Sequence, residues 1–168
     1  QVAVTETTFV APLGGSTGDL RITNFVSSYQ TGNLNVGGLI SGGLPVTGGE
    51  GRVEVVSNGS LIVNSDLVLF DQGSILVDSS GLVSVGAVGG VNGAINVNAG
   101  GRLIGTGQID GHLIVNDFGV LTPGVNGIGQ LQIDGDLTFA ATANAAVYGW
   151  DLAYAGLATD VLGASSST

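Results

Sequence analysis

Aliphatic and polar residues alternate in short runs along most of the chain, and a glycine precedes each run. Gly51-Arg-Val-Glu-Val55, Gly73-Ser-Ile-Leu-Val77 and Gly93-Ala-Ile-Asn-Val97 show this unit. Because successive side chains of a strand point to opposite faces, residues at i and i+2 share a face. Each unit therefore predicts a strand of about three to five residues with one buried aliphatic face. Further copies begin at Gly32, Gly59, Gly81, Gly101, Gly111, Gly119, Gly129 and Gly135.

The spacing of these units indicates how they stack. We expect the glycines to mark bends, because glycine reaches positive φ without steric penalty. The starts at 51, 73, 93, 111 and 129 form one series, which predicts coils of about 18 to 22 residues. Near-identical units stack well on one another, with aliphatic side chains inside. The pattern predicts an all-β fold, a β-helix or solenoid of parallel strands, and the alternative is a β-sandwich, which also has short strands.

The regularity of the units changes along the chain and divides it into three predicted parts. Residues 1–50 predict irregular N-terminal coils, and the stretch from Gly37 to Gly51, rich in glycine and containing Pro45, predicts a long loop. Residues 51–139 carry the regular coils. Residues 140–168 predict an alanine-rich and aromatic terminal coil or cap with a frayed tail.

Composition and charge narrow the classes of function. Apolar residues make up 43% of the chain and charged residues 10%, which argues against disorder. The formal net charge is −10, and the only cations are Arg21, Arg52 and Arg102. This balance disfavours binding to nucleic acid and to anionic membranes. Cysteine is absent, and a repeat fold does not need disulfides because its core grows with each repeat.

The segment from Gly101 to Gly163 carries a family resemblance. It contains Gly105-Thr-Gly-Gln-Ile-Asp-Gly111, then Leu121-Thr-Pro-Gly124, Ile128-Gly-Gln-Leu131 and Gly135-Asp-Leu-Thr-Phe139. This order of steps resembles the late passenger region of autotransporters, surface proteins of Gram-negative bacteria. Val125, between Gly124 and Asn126, and the alanine-rich link at 140–146 depart from the family pattern.

The resemblance implies a right-handed β-helix exposed at, or released from, the outer surface of the cell. It also implies a C-terminal membrane barrel, and we expect any contact with a membrane to be made through such a barrel, outside these 168 residues.

Two groups of residues are weighed as catalytic candidates. His112 is the only histidine, whereas an imidazole metal site or a Ser-His-Asp triad needs partners around it, so an exposed turn or strand residue is the favoured interpretation. Asp134 and Asp136 flank Gly135 and could form the carboxylate pair of a polysaccharide hydrolase or lyase. We favour a turn in which the aspartates accept hydrogen bonds from backbone amides.

Calcium is the metal ion that a chain of this negative charge is most expected to bind. Asp66, Asp71, Asp78 and Asp110 offer scattered carboxylates, but the glycine-rich aspartate repeat of calcium-binding solenoids does not recur here. We therefore predict no metal site and no cofactor.

The aromatic residues near the C-terminus form the remaining candidate site. Tyr148, Trp150 and Tyr154 alternate and would share one face of a strand. They could form a platform on which a sugar stacks. The favoured interpretation is a bulky cap that closes the end of the stack, because an open end exposes strand edges and core.

The sequence as a whole predicts an exported, non-catalytic structural or adhesive module, located outside the cell or on the outer-membrane surface. Expected partners are a host or bacterial surface, a glycan or another copy of the chain. A self-assembling filament subunit is the alternative, because coil ends are templates for strand addition. The polysaccharide hydrolase or lyase is the less favoured one.

Overall fold

Strands joined by turns, bends and short loops make up the described part of the chain in a computed structural model. The structure describes residues 2–24, 28–86, 93–140, 147–148 and 161–165, and these ranges contain no helix. The strands are β1 (Val2–Ala3), β2 (Thr7–Val10), β3 (Thr17–Ile22), β4 (Ser28–Thr31), β5 (Asn33–Val36), β6 (Gly38–Ser41), β7 (Leu44–Thr47), β8 (Glu50–Val55), β9 (Ser60–Val63), β10 (Leu67–Leu69), β11 (Gly73–Val77), β12 (Leu82–Val85), β13 (Ala94–Val97), β14 (Arg102–Gly105), β15 (Gln108–Asp110), β16 (His112–Asn116), β17 (Val120–Pro123), β18 (Gln130–Asp134), β19 (Leu137–Ala140), β20 (Val147–Tyr148) and β21 (Val161–Ser165).

The strands form three parallel sheets and one antiparallel hairpin. Sheet A contains β1, β4, β9, β12, β15, β18 and β21; sheet B contains β2, β5, β10, β13, β16 and β19; sheet C contains β3, β8, β11, β14, β17 and β20. The chain visits sheets A, B and C in this order, and we call each pass a circuit. The predicted all-β fold with parallel strands is confirmed.

Aliphatic side chains lie above one another in successive circuits. In sheet C, Ile75 is in register with Val53 on one side and with Leu103 on the other, and Leu103 is in register with Leu121. All four are fully buried, and the inward ladders of the three sheets form one hydrophobic cluster. Because burying one such side chain contributes about 1.5–3 kcal/mol, we infer that the ladders supply most of the stability of the fold.

One turn recurs at the corners between the sheets. The N–H of a glycine donates to the carbonyl oxygen three residues earlier, with N···O distances of 2.8–3.0 Å; the pairs are Gly59–Val56, Gly73–Phe70, Gly81–Asp78, Gly101–Asn98 and Gly119–Asn116. The prediction that the glycines of the units supply positive φ is wrong for these five. The positive φ falls one residue before four of them, at Asn58, Gln72, Gly100 and Phe118. It is right for Gly111 and Gly135, which have φ of +137° and +148°.

Close packing between circuits explains the corner glycines instead. A Cβ on Gly81 would lie 2.2 Å from the carbonyl oxygen of Val55, and one on Gly119 would lie 2.3 Å from that of Val97. Each of these carbonyl groups belongs to the preceding circuit. Glycine is therefore required where the backbone of one circuit rests on the next.

The predicted coil length is right for some circuits and wrong for others. Pairing links Ser74 to Arg52, 22 residues earlier, and Ile114 to Asn96, 18 residues earlier. It links Leu67 to Leu34, however, 33 residues earlier. The predicted series of unit starts combined strands of different sheets. Gly51 and Gly73 lie in sheet C, Gly93 and Gly111 precede strands of sheet B, and Gly129 precedes a strand of sheet A. Each circuit contains three strands, whereas the series assumed two.

A hairpin occupies the stretch predicted to be a long loop. β6 and β7 pair antiparallel between β5 and β8, joined by Gly42 and Gly43. Both glycines have positive φ, +58° and +80°, as a two-residue hairpin turn requires. The hairpin carries exposed Ile40 and Leu44, so the insertion that lengthens this circuit also presents apolar surface.

Candidate functional site

The outer face of sheet C carries all three cations of the chain. Arg21 lies on β3, Arg52 on β8 and Arg102 on β14, each at an outward position of its strand. Along one outward column, Ser74 is in register with Arg52 on one side and with Arg102 on the other. Because neighbouring strands are about 4.8 Å apart, the two arginines flank the serine at a separation of about 10 Å.

A groove runs along this column and has a volume of about 520 Å³. Arg52, Ser74 and Arg102 lie along it, together with the half-buried aliphatic side chains of Leu76 and Ile104. Leu76 and Ile104 occupy the next outward column of sheet C, in register with each other. The loop from 124 to 127, which follows β17, and Thr122 complete the lining.

The charges on this face leave one arginine open to a ligand. Glu54 forms ion pairs with Arg52 and with Arg21, the latter at 3.2 Å. The side chain of Arg102 is exposed and forms no hydrogen bond or ion pair with any residue that the structure describes. Among the described residues, no carboxylate lines the groove. Glu50 lines an adjoining depression of about 370 Å³, and Arg52 and Arg102 line that depression as well.

The structure brings His112 and Asp136 together at the corner between sheets A and B. The Nδ1 atom of His112 lies 3.3 Å from a carboxylate oxygen of Asp136, and the two side chains are 48% and 64% exposed. An ion pair as exposed as this one contributes little to stability. The predicted exposed position of His112 agrees with its location.

Asp134 and Asp136 lie on opposite sides of this corner. Asp134 ends β18 in sheet A, whereas Asp136 immediately precedes β19 in sheet B. Asp134 is in register with Asp110 of β15, whose carboxylate accepts a hydrogen bond from the Ser84 hydroxyl at 3.1 Å. Both members of the predicted pair are exposed.

The aspartates weighed as calcium ligands are separate in the fold. Asp66 accepts a hydrogen bond from the Ala94 N–H at 3.0 Å. Asp78 accepts from the N–H of Ser57 and from both the N–H and the hydroxyl of Ser80, each at 2.9 Å. Across the described ranges, no three His, Asp or Glu side chains are placed to hold a metal ion together. The carboxylates of Asp66 and Asp78 instead form hydrogen bonds between neighbouring circuits.

The pKa of Asp78 reflects its position in the corner. Burial is the largest single influence and raises the pKa, but the hydrogen bonds from Ser57, Ser80 and Gly81 together outweigh it and lower the pKa below 3.8. The charged form is therefore the one that the folded corner stabilises.

Tyr148 continues the inward ladder of sheet C. It is in register with Leu121, packs half-buried against the core and makes an edge-to-face contact with Phe139 at 6.3 Å between ring centroids. Trp150 and Tyr154 lie outside the described residues, so the grouping of the three aromatics, as a cap or as a sugar platform, stays a prediction.

The groove on sheet C was not found from the sequence. The available signal was the recurrence of arginine after glycine in Gly51-Arg-Val and Gly101-Arg-Leu. Arg52 and Arg102 are 50 residues apart, and only the pairing through Ser74 shows that they lie two strands apart.

Comparison with protein-family models, with curated proteins and with solved structures finds no match to this chain. The described residues include no helix that is long and apolar enough to span a membrane.

Proposed function

We propose that the chain is a right-handed parallel β-solenoid that serves as an exported, non-catalytic structural or adhesive module, as in the passenger regions of autotransporters. The fixed order of sheets A, B and C supports the solenoid. The right-handed sense follows from the strong preference for right-handed crossovers between parallel strands of one sheet.

The adhesive role is proposed from the columns of outward side chains that repeat along each sheet. Outward positions lie beside their counterparts in the next circuit, as in the sheet A column of Ser60, Leu82, Gln108 and Gln132. Six strands at about 4.8 Å spacing make a face about 25 Å long. Rigid faces of stacked repeats are typical binding surfaces of repeat proteins.

A binding screen tests this function. Purified chain is incubated with bacterial and animal cell surfaces, extracellular matrix proteins, immobilised glycans and immobilised copies of itself. Leu61→Asp places a charge in the core and abolishes the folded faces, whereas Ile62→Asp places the same charge on the neighbouring outward position. We expect the wild type to bind at least one surface and Leu61→Asp to lose that binding. Absence of binding to every surface would count against an adhesive role.

The ends of the stack favour a filament subunit as the second candidate. Within the described chain, β2 and β3 each pair with one neighbour only, because each stands at the end of its sheet. Such an edge can accept a further strand from another molecule. Electron microscopy of the purified chain at high concentration tests this candidate: filaments would support it, and monomers alone would oppose it.

A polysaccharide hydrolase or lyase is the least supported candidate. Asp134 and Asp136 would have to act from two sides of a corner, whereas glycoside hydrolysis needs both carboxylates on one bound sugar at a defined separation. Incubation with a panel of polysaccharides, for the wild type and for Asp134→Asn, tests it. Cleavage by the wild type that is lost in the variant would establish an enzyme in place of the proposed module.

A further inference from the structure

We propose that the groove on the outer face of sheet C binds a saccharide that carries a carboxylate group, with Arg102 as the principal contact of the carboxylate. The inference rests on the proposed adhesive function and names the class of ligand for one face. The ligand chemistry is a pyranose ring with one carboxylate, such as a uronic acid or a sialic acid.

Arg102 supplies the reason for an anionic ligand. It is one of three cations in a chain of net charge −10, and its guanidinium has no hydrogen-bond or ion-pair partner among the described residues. A guanidinium group presents a planar fork of donors that matches a carboxylate in a bidentate arrangement. Arg52 is the weaker contact, because its guanidinium already pairs with Glu54.

The net negative charge does not prevent this contact. Charges are screened over about 8 Å at physiological ionic strength, so a small ligand responds to the residues nearest to it. The described lining contains two arginines and no carboxylate. Asp19 and Glu54 lie one strand away, beside Arg52 and Leu76, so the Arg102 end of the groove is the part that favours an anion. A long polyanion would meet the acidic side chains beyond the groove, and we therefore expect single acidic sugars to bind better than acidic polymers.

The remaining lining matches a sugar ring. Leu76 and Ile104 offer aliphatic surface to the C–H groups of a pyranose. The hydroxyls of Ser74 and Thr122 and the amide of Asn126 can exchange hydrogen bonds with sugar hydroxyls. A volume of about 520 Å³ falls within the range of about 300–1,000 Å³ for small-molecule sites.

An extended peptide fits this face less well. Peptides that bind as added strands use free backbone donors and acceptors at a sheet edge, whereas β11 and β14 are paired on both sides within sheet C. A second copy of the chain placed on the groove by a two-fold axis would bring the arginine columns of both copies together. The titration distinguishes both of these occupants from an acidic sugar.

The test is an NMR titration of isotope-labelled chain with glucuronic acid and sialic acid, beside glucose, acetate and inorganic phosphate. Variants are Arg102→Ala, Arg102→Lys, which keeps the charge and loses the fork, and Arg21→Ala. Arg21 carries the same charge on the same face and does not line the groove, so its replacement is the matched control. Each variant's urea unfolding midpoint is measured to verify that it folds.

We expect both acidic sugars to shift resonances of Ser74 and Ile104, and glucose to shift neither. Because hydrogen bonds to a charged group are about twice as strong as those between neutral groups, Arg102→Ala should weaken binding about tenfold or more. Arg102→Lys should fall between Arg102→Ala and the wild type, and Arg21→Ala should bind as the wild type does.

Four results would overturn the inference: no binding of acidic sugars, equal binding of glucose, equal binding of acetate or phosphate, or the same loss in Arg21→Ala. Shifts of the groove resonances with protein concentration alone would identify a second copy as the occupant. If the chain adheres to cell surfaces but binds no acidic sugar, the inference fails and the proposed function stands. If it binds acidic sugars but no surface, the proposed function fails instead.

Discussion

The corner at Gly81 gives the sharpest test of how closely the circuits pack. Replacing glycine by alanine outside a constrained site stabilises a protein by about 0.4–1 kcal/mol, because alanine reduces the entropy of the unfolded chain. Gly81 does not have positive φ, so backbone geometry alone predicts this gain. The close packing between circuits predicts instead that Gly81→Ala lowers the unfolding free energy.

The magnitude follows from the contact with the preceding circuit. A Cβ at position 81 would lie 2.2 Å from the carbonyl oxygen of Val55, where real Cβ atoms essentially never come closer than 3.0 Å. The two circuits must separate by about 0.8 Å at this point, which also strains the hydrogen bond of 3.1 Å from the Asp78 N–H to the same oxygen. Overpacking costs about 1–3 kcal/mol and a weakened hydrogen bond about 1 kcal/mol. We expect Gly81→Ala to destabilise the fold by about 2–3 kcal/mol.

Urea unfolding followed by circular dichroism measures the effect. With a slope of about 2 kcal/mol per molar, the midpoint should fall by about 1 M or more. Gly14→Ala is the control, because a Cβ there meets open space and its φ is not positive. It should leave the midpoint unchanged or raise it slightly. A Gly81→Ala midpoint equal to or above that of the wild type would refute the stacked corner.

Three further predictions concern the core, one corner carboxylate and one strained turn. Leu61 is fully buried and its neighbour Ile62 faces outward, so Leu61→Ala should cost about 2–5 kcal/mol and Ile62→Ala less than about 1 kcal/mol, measured by urea unfolding. Because the pKa of Asp78 is lowered in the folded state, its carboxylate stabilises the fold above about pH 3.9, and this contribution is lost as the pH falls through the folded pKa. Asp78→Asn should therefore be less stable than the wild type at pH 7, and the difference should shrink as the pH falls below about 3.9. Phe118 has a φ of +58° and is 54% exposed, so Phe118→Gly should raise the unfolding free energy by about 0.5–1 kcal/mol.

Each of these predictions has a result that contradicts it. Equal losses at Leu61 and Ile62 would contradict the alternation of inward and outward positions in β9. A difference between Asp78→Asn and the wild type that does not change with pH would contradict the role of the charged carboxylate. A loss of stability in Phe118→Gly would show that the aromatic ring contributes more than the strained backbone costs.

The glycine-led units were sufficient to predict eleven strands and their inward faces, but none of the units covers β6, β7, β10 or β15. Alternation in units such as Gly73-Ser-Ile-Leu-Val77 depends on side-chain direction alone, which is a local property of the chain. The number of strands per circuit could not be predicted in the same way. Insertions such as the β6–β7 hairpin change the length of a circuit without changing the register of the core, so spacing along the chain does not determine which strands pair.

The same limit applies to the candidate site. Arg52 and Arg102 are distant in sequence and become neighbours of Ser74 only through the pairing of β8, β11 and β14. His112 and Asp136 likewise meet because β16 pairs with β19. The role of glycine at the corners could not be predicted either. A close approach between circuits and a positive φ both select glycine, so the sequence does not distinguish them.

Nuclear Overhauser contacts in sheet C test the central claim, the parallel stack of circuits, most directly. In isotope-labelled chain, we expect methyl and aliphatic contacts between Val53 and Ile75, Ile75 and Leu103, and Leu103 and Leu121, in that order and between no other members of this ladder. The interstrand pattern should be that of parallel strands about 4.8 Å apart. Close Hα–Hα contacts between these strands, which antiparallel pairs of a β-sandwich produce, would contradict the fold and everything inferred from it.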